Sequence, residues 1–224
     1  MTFSISARCP ASGMFGIAIA SSSPAVAARC VHVRAGVGAV ATQNITDPRL
    51  GTVGLNLMAH GASAVQARDI LVASRADIDY RQLALVDAAG RTAAFSGAGT
   101  LGLHATAEAP SVVAAGNLLA NEAVPRAMID GFMAADGALP QRLLAAMQAG
   151  LAAGGEAGPV HSAGLVVVRE VPWPVVDLRV DWDDADPIGA LQALWTRYAP
   201  QMEDYVARAL RPGNAARFNV PGEI

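Results

Sequence analysis

Residues 2–8 read Thr2-Phe3-Ser4-Ile5-Ser6-Ala7-Arg8 and alternate without a break. Phe3, Ile5 and Ala7 fall on one face, and Thr2, Ser4 and Ser6 on the other. That is the period of a half-buried β-strand. Turn chemistry at 10–13 and a second run at 14–21 make the opening a hairpin. Outward from it, a buried strand is predicted at 37–42. A helix follows over 48–60, with Asp47 as N-cap and Gly61 just past its end. A second helix starts after Ser63 and runs to about Ser74. Strands at 82–86 and 92–95 flank the turn Asp87-Ala88-Ala89-Gly90, and another lies at 111–115. Helices over 122–135 and 139–152 precede strands at 165–168 and 175–180. A last helix over 187–210 is broken at Pro200. Strand runs interleaved with helix pairs do not fit a doubly wound parallel sheet. They fit one α+β domain over 1–224, a four-layer αββα sandwich of two mainly antiparallel sheets with helices outside both.

Composition supports a packed chain. Of 224 residues, 53% are hydrophobic and 16% charged, the opposite of a disordered balance. All 16 basic residues are arginine. A Schiff-base lysine, a lysine general base and a Walker-type phosphate loop are therefore excluded. The net charge of −3, with no basic run, speaks against a nucleic-acid partner. Cys9 and Cys30 are too few for a disulfide framework or a zinc cage. The opening stretch lacks a basic leader with an apolar run behind it, and no stretch of 18 apolar residues occurs. The expectation is a cytoplasmic protein acting on a small molecule, with no membrane partner, cofactor or metal.

Several motifs fail on context. Gly97-Ala98-Gly99-Thr100-Leu101-Gly102 matches a dinucleotide fingerprint but leads to His104 and Pro110, not into a helix. Gly36-Val37-Gly38-Ala39-Val40-Ala41 lies inside a predicted strand. Asp181, Asp183, Asp184 and Asp186 suggest a calcium loop. Its sixth and twelfth positions are Asp186 and Gln192, where Gly and Glu are needed. Those carboxylates fit the N-terminus of the 187–210 helix instead. His32, His60, His104 and His161 show no ligand spacing.

Thr2 is the sharpest chemical feature. Initiator methionine is commonly removed before a small residue. Removal would leave a free α-amine, titrating near about 7.7–8.0, beside the threonine hydroxyl, so that nucleophile and base share one residue.

Further residues carry a resemblance over essentially the whole chain. They are Thr2-Phe3-Ser4-Ile5, Ala18-Ile19-Ala20-Ser21, Gly36 through Gln43, Pro48, Gly51 and Gly54-Leu55. Beyond these stand Arg81-Gln82-Leu83, Val86-Asp87, Phe95-Ser96-Gly97, Gly116-Asn117, Ser162-Ala163, 177–181 and Val220-Pro221-Gly222. The sequence resembles the domain of unknown function 1028 family, assigned to the N-terminal nucleophile (Ntn) hydrolase-like superfamily. The resemblance implies an Ntn-hydrolase-like αββα fold and no established reaction. The chain departs from relatives with a lysine beside the nucleophile, leaving Arg34 or Arg8 to supply positive charge. His161 and Ala115 stand where glutamines are expected, and Asp184 where a histidine is expected.

On this basis Thr2 is the expected nucleophile of an amidohydrolase cleaving a small amide or amide-like bond. Gln43 and Asn117, at predicted strand ends beside glycines, are expected to meet the oxyanion or to satisfy turns. Ser21 and Ser162 are expected around the amine. Asp177 and Arg179, on one face of a strand, either orient polar substrate or form a buried ion pair. Arg34 and His161 complete the expected binding set. The alternative is a non-catalytic small-ligand-binding or scaffold protein on the same fold. A metal-assisted site at His161 and the aspartates is a further reading. The apolar surplus of Met128, Phe132, Met133, Leu143, Leu144 and Met147 predicts a homo-oligomer, a dimer or a multiple of one.

Overall fold

The computed structural model describes residues 1–214 and 216. Val220-Pro221-Gly222 therefore lies outside the described residues. The opening hairpin is β1 (Thr2–Arg8) and β2 (Phe15–Ser21), followed by a short α1 (Ala27–Cys30), β3 (Val31–Arg34) and β4 (Gly38–Asn44). Helices α2 (Pro48–Ala59) and α3 (Ala64–Ala73) precede β5 (Arg81–Asp87), β6 (Thr92–Ser96), β7 (Ala105–Ala109) and β8 (Val112–Asn117). Then come α4 (Val124–Ala134), α5 (Leu139–Ala152), β9 (Ser162–Val168), β10 (Val176–Val180), α6 (Pro187–Tyr198) and α7 (Met202–Leu210).

The strands form two wholly antiparallel sheets, ordered β10-β9-β2-β1-β8-β7 and β3-β4-β5-β6. The helix starts follow the predicted caps. The Asp47 carboxylate accepts from Arg49 N at 3.0 Å, and Ser63 and Gln66 form a reciprocal capping box. Leu50, Leu55 and Met58 of α2, with Leu71 of α3, bury against Val40, Leu83 and Leu85. Met128, Phe132, Leu143, Leu144 and Met147 of α4 and α5 bury against Phe3, Ile5, Ala18 and Leu165. A third cluster joins the two sheets: Phe15, Ile17, Val113 and Ala115 meet Ala39, Ala41, Ala84 and Val86. Alanines on the four-stranded sheet let the backbones come close at little volume.

Three expectations change. Strand β1 is not half-buried, because Ser4 and Ser6 are as inaccessible as Phe3 and Ile5. It lies inside its sheet with the second sheet over its polar face. The stretch 101–110, left without a predicted element between the strands at 92–95 and 111–115, contains β7 at the outside of the six-stranded sheet. The apolar surplus of α4 and α5 is spent inside the chain. Only Met133 of the six named residues is exposed, so the surface that motivated self-association is largely absent. The short elements α1 and β3 were not anticipated. The break near Pro200 is a 3₁₀ turn, Ala199–Gln201. No helix among the described residues is long and apolar enough to cross a membrane.

Candidate functional site

Antiparallel register brings the polar ends of six strands to one end of the space between the sheets. Thr2 pairs with Ser21 on β2 and with Asn117 on β8. On the facing sheet, Gln43 pairs with Gln82, and Gln82 with Ser96. These residues follow the inward parity of Ala39, Ala41, Ala84 and Val86, so their side chains enter the interior where those chains bury methyl groups.

The interior tolerates amides because they satisfy one another. Ser4 Oγ donates to Gln43 Oε1 at 2.6 Å. Gln43 Nε2 donates to Gln82 Oε1 at 2.8 Å and to the Ala115 carbonyl at 3.2 Å. Gln82 Nε2 donates to Ser96 Oγ and to the Gly116 carbonyl, both at 2.9 Å. Asn117 Nδ2 donates to Gln82 Oε1 at 3.1 Å. An amide nitrogen carries two hydrogens. Both of Gln43's are taken, so Gln43 is no oxyanion donor and instead holds the sheets in register. Asn117 keeps one hydrogen for another acceptor. Gln82 is the hub of this network, yet the sequence reading had not singled it out as a site residue.

Thr2 is almost fully buried, and its Oγ1 lies 3.3 Å from Ser21 Oγ. Both hydroxyls donate to the carbonyl of Met1, at 2.5 Å each. The Met1 side chain rests on Gly158: a methyl group at Gly158 would meet Met1 Cε at 2.8 Å.

Glu156 was not foreseen either. It is 5% exposed, and Oε2 accepts from Ser22 N at 3.1 Å. Its other oxygen, Oε1, is buried without a hydrogen-bond partner. Burial pushes this carboxyl up to about 7, against the opposing pull of the Met1 amine and the Ser22 N–H. Its loop is fixed to the segment after β8 by Ala120 N to Gly155 O at 3.0 Å and Ala157 N to Leu118 O at 2.9 Å. Leu118 follows Asn117 at φ 49°, a left-handed conformation unusual for leucine, and turns the chain toward that loop. Glu156 and Gly158 line a cavity of about 220 Å³ together with Leu151, Val160, Asp184 and Ile188.

The other expected residues spread out. His161 stacks on Trp182 with ring centroids 4.3 Å apart, and its Nδ1 lies 3.3 Å from Asp184 Oδ1. Its backbone N–H donates to Ser21 O at 2.9 Å, which places the ring one residue from the site strand. Ser162 turns its hydroxyl to the Ser23 carbonyl at 2.6 Å, not to Thr2. Asp177 and Arg179 pair with each other at 2.8 Å on the outer strand β10. Their side chains are 38% and 39% exposed, so this is no buried ion pair. Arg34 pairs in register with Gly38, at the opposite end of β4 from Gln43, and donates to Asn56 Oδ1 at 2.9 Å. Arg8 ends β1 at the far side from Thr2. Neither arginine is brought to Thr2, so the expected substitute for a lysine is not there. Among the described residues no cluster of three metal-ligating side chains occurs. The aspartates instead cap: Asp183 Oδ1 accepts from Ala185 N and Asp186 N, and Asp186 Oδ1 from Gly189 N at the start of α6.

A family model described as a family of unknown function, DUF1028, matches residues 2–191. The chain belongs to the DUF1028 family. The crystal structure of protein SPO2555 from Silicibacter pomeroyi, itself assigned to DUF1028, matches this DUF1028 protein with a TM-score of 0.83 at 31% identity. The match covers 88% of this chain and 89% of that one. A second structure, the ancestral β-subunit Anbu from Yersinia bercovieri, matches with a TM-score of 0.39 at 14% identity, over 91% and 97% of the two chains. At that score it is no guide to the chemistry of this DUF1028 protein. No curated protein matches it.

Proposed function

We propose that this DUF1028 protein is a cytoplasmic N-terminal-nucleophile amidohydrolase on a four-layer αββα sandwich, with Thr2 as nucleophile once the Met1–Thr2 bond is cleaved. One observation carries the reading. The hydroxyls of Thr2 and Ser21 converge on a single carbonyl, that of Met1, at the end of a strand held on both sides. After Met1 is gone, a substrate carbonyl would meet the same pair.

The chemistry balances within that site. Thr2 Oγ1 attacks the amide carbon while its proton passes to the neutral Thr2 α-amine. Negative charge on the carbonyl oxygen is met by Ser21 Oγ and by the free hydrogen of Asn117 Nδ2. Collapse breaks the C–N bond, and the ammonium returns its proton to the leaving nitrogen. Water then hydrolyses the Thr2 ester, releasing the acid and restoring the hydroxyl. Gln43 and Gln82 keep Asn117 in place.

Intact mass after expression decides the first condition, since the processed chain starts at Thr2. In processed protein, Thr2→Ala should lower hydrolysis of a small-amide panel by at least about a thousandfold, and Thr2→Ser should restore part of it. Full activity in Thr2→Ala would sink the reading. A second reading, a ligand-binding protein without turnover, is favoured by the amide network, which uses most of its donors internally. Stable retention of Met1 in the native host would support it.

A further inference from the structure

We propose that the acyl site of this protein takes an α-aminoacyl group with an unbranched or modestly branched apolar side chain, and that Glu156 receives its amino group. The inference rests on Thr2 being the residue that meets the carbonyl, and it names the substrate class.

Met1 supplies the geometry. Its carbonyl oxygen accepts from Thr2 Oγ1 and Ser21 Oγ, the nucleophile and the oxyanion donor of the proposed reaction. Its thioether lies against Gly158, which lines the cavity of about 220 Å³. Glu156 lines the same cavity with its Oε1 unpartnered. Methionine here has two parts of an aminoacyl substrate against matching groups, carbonyl to hydroxyls and thioether to Gly158 of the cavity wall, and the unpartnered carboxyl oxygen of Glu156 stands on that same wall for the third, the amine. Removing Met1 frees the two hydroxyls and the face of Gly158 at once.

Glu156 is what makes this a site and not a gap. A carboxylate 5% exposed with one oxygen unpartnered is costly unless a cation or donor meets it. Ser22 N serves only Oε2. An ammonium reaching Oε1 would complete the shell with a charge-assisted hydrogen bond. Gly158 leaves room that any side chain would close. Leu151, Val160 and Ile188 supply the apolar wall, and Asp184 adds negative charge to the same wall, so a carboxylate-bearing acyl group is disfavoured.

The test separates this inference from the nucleophile reading. Processed Thr2→Ala protein is titrated calorimetrically with L-methioninamide and with N-acetyl-L-methioninamide. The free amine should bind at least tenfold more tightly, and the preference should vanish in Thr2→Ala/Glu156→Gln. Processed wild-type protein is then assayed on methionine and N-acetylmethionine p-nitroanilides, with kcat/KM favouring the free amine by a similar factor. Equal binding of the two amides overturns the inference, whatever is found for turnover. Selective binding with no hydrolysis by wild-type protein supports the amine site and overturns Thr2 as nucleophile. Gly158→Val guards against a folding artefact: its melting should stay near wild type while methioninamide binding falls at least tenfold. Unchanged binding in that variant would remove Met1's position as the acyl site.

Discussion

A single carboxyl illustrates how burial converts into pH dependence. Glu156 is raised from its ordinary 4.5 to about 7 by burial, with the Met1 amine and the Ser22 N–H pulling the other way. A raised folded-state value means that the neutral form is favoured by folding. The contribution is fully present below pH about 4.5 and is lost as pH rises through about 7. The span corresponds to a penalty on the order of 3 kcal/mol above neutrality. Glu156→Gln keeps an acceptor for Ser22 N and removes the ionisation. The variant should therefore match wild type near pH 4.5 and melt several degrees higher at pH 8. Parallel melting curves for the two proteins across that range would show that Glu156 is not the titrating group. Its role was not legible in the sequence, where Gly154-Gly155-Glu156-Ala157-Gly158 reads as a flexible loop. Nothing local says that the loop is zipped to residues 118–120. Thr2 and Ser21 were legible, because small polar residues close to the turn-distant ends of a hairpin must face each other in register.

Strand parity explains why some of the interior could be anticipated. Gln43 and Gln82 share the inward faces of β4 and β5 with alanine and valine, so an amide in that pattern marks a buried network. Gln82→Leu removes the acceptor of two amides and the donor to Ser96 and Gly116. At least two buried groups lose partners, at about 1–3 kcal/mol each. A loss of about 3 kcal/mol is expected, read as a lower urea midpoint at unchanged slope. Helix packing gives a second case. A Cβ at Gly51 on α2 would fall 2.0 Å from His32 Cδ2 on β3. Gly51→Ala should cost about 1–3 kcal/mol by lifting α2 from the four-stranded sheet, and a truncation at His32 should recover part of it. The helix caps and hairpin turns were legible because they are local. The partners of β3 and the strand nature of residues 105–109 were not. Alternation there is weak, with alanine on every second position, and only pairing with β8 makes the segment a strand.

At the scale of the molecule, the sequence order of strands and their spatial order disagree most around β1. Its neighbours are β2, next in sequence, and β8, whose Asn117 pairs with Thr2, while β2 waits for β9 at 162–168. Element order alone suggested two sheets and flanking helices, but it could not say which hairpin lies in the middle. Long-range closures of this kind are slow and entropically costly. During synthesis at about 5–20 residues per second, the first hairpin stands with both flanks open for on the order of ten seconds before β8 exists. A ribosome-bound chain arrested near residue 60 should thus lose Met1 readily to an aminopeptidase, whereas refolded full-length protein should resist it. For this sheet, the time during which the Met1–Thr2 bond can be reached by another enzyme is set by how long the ribosome takes to deliver a strand some hundred residues downstream.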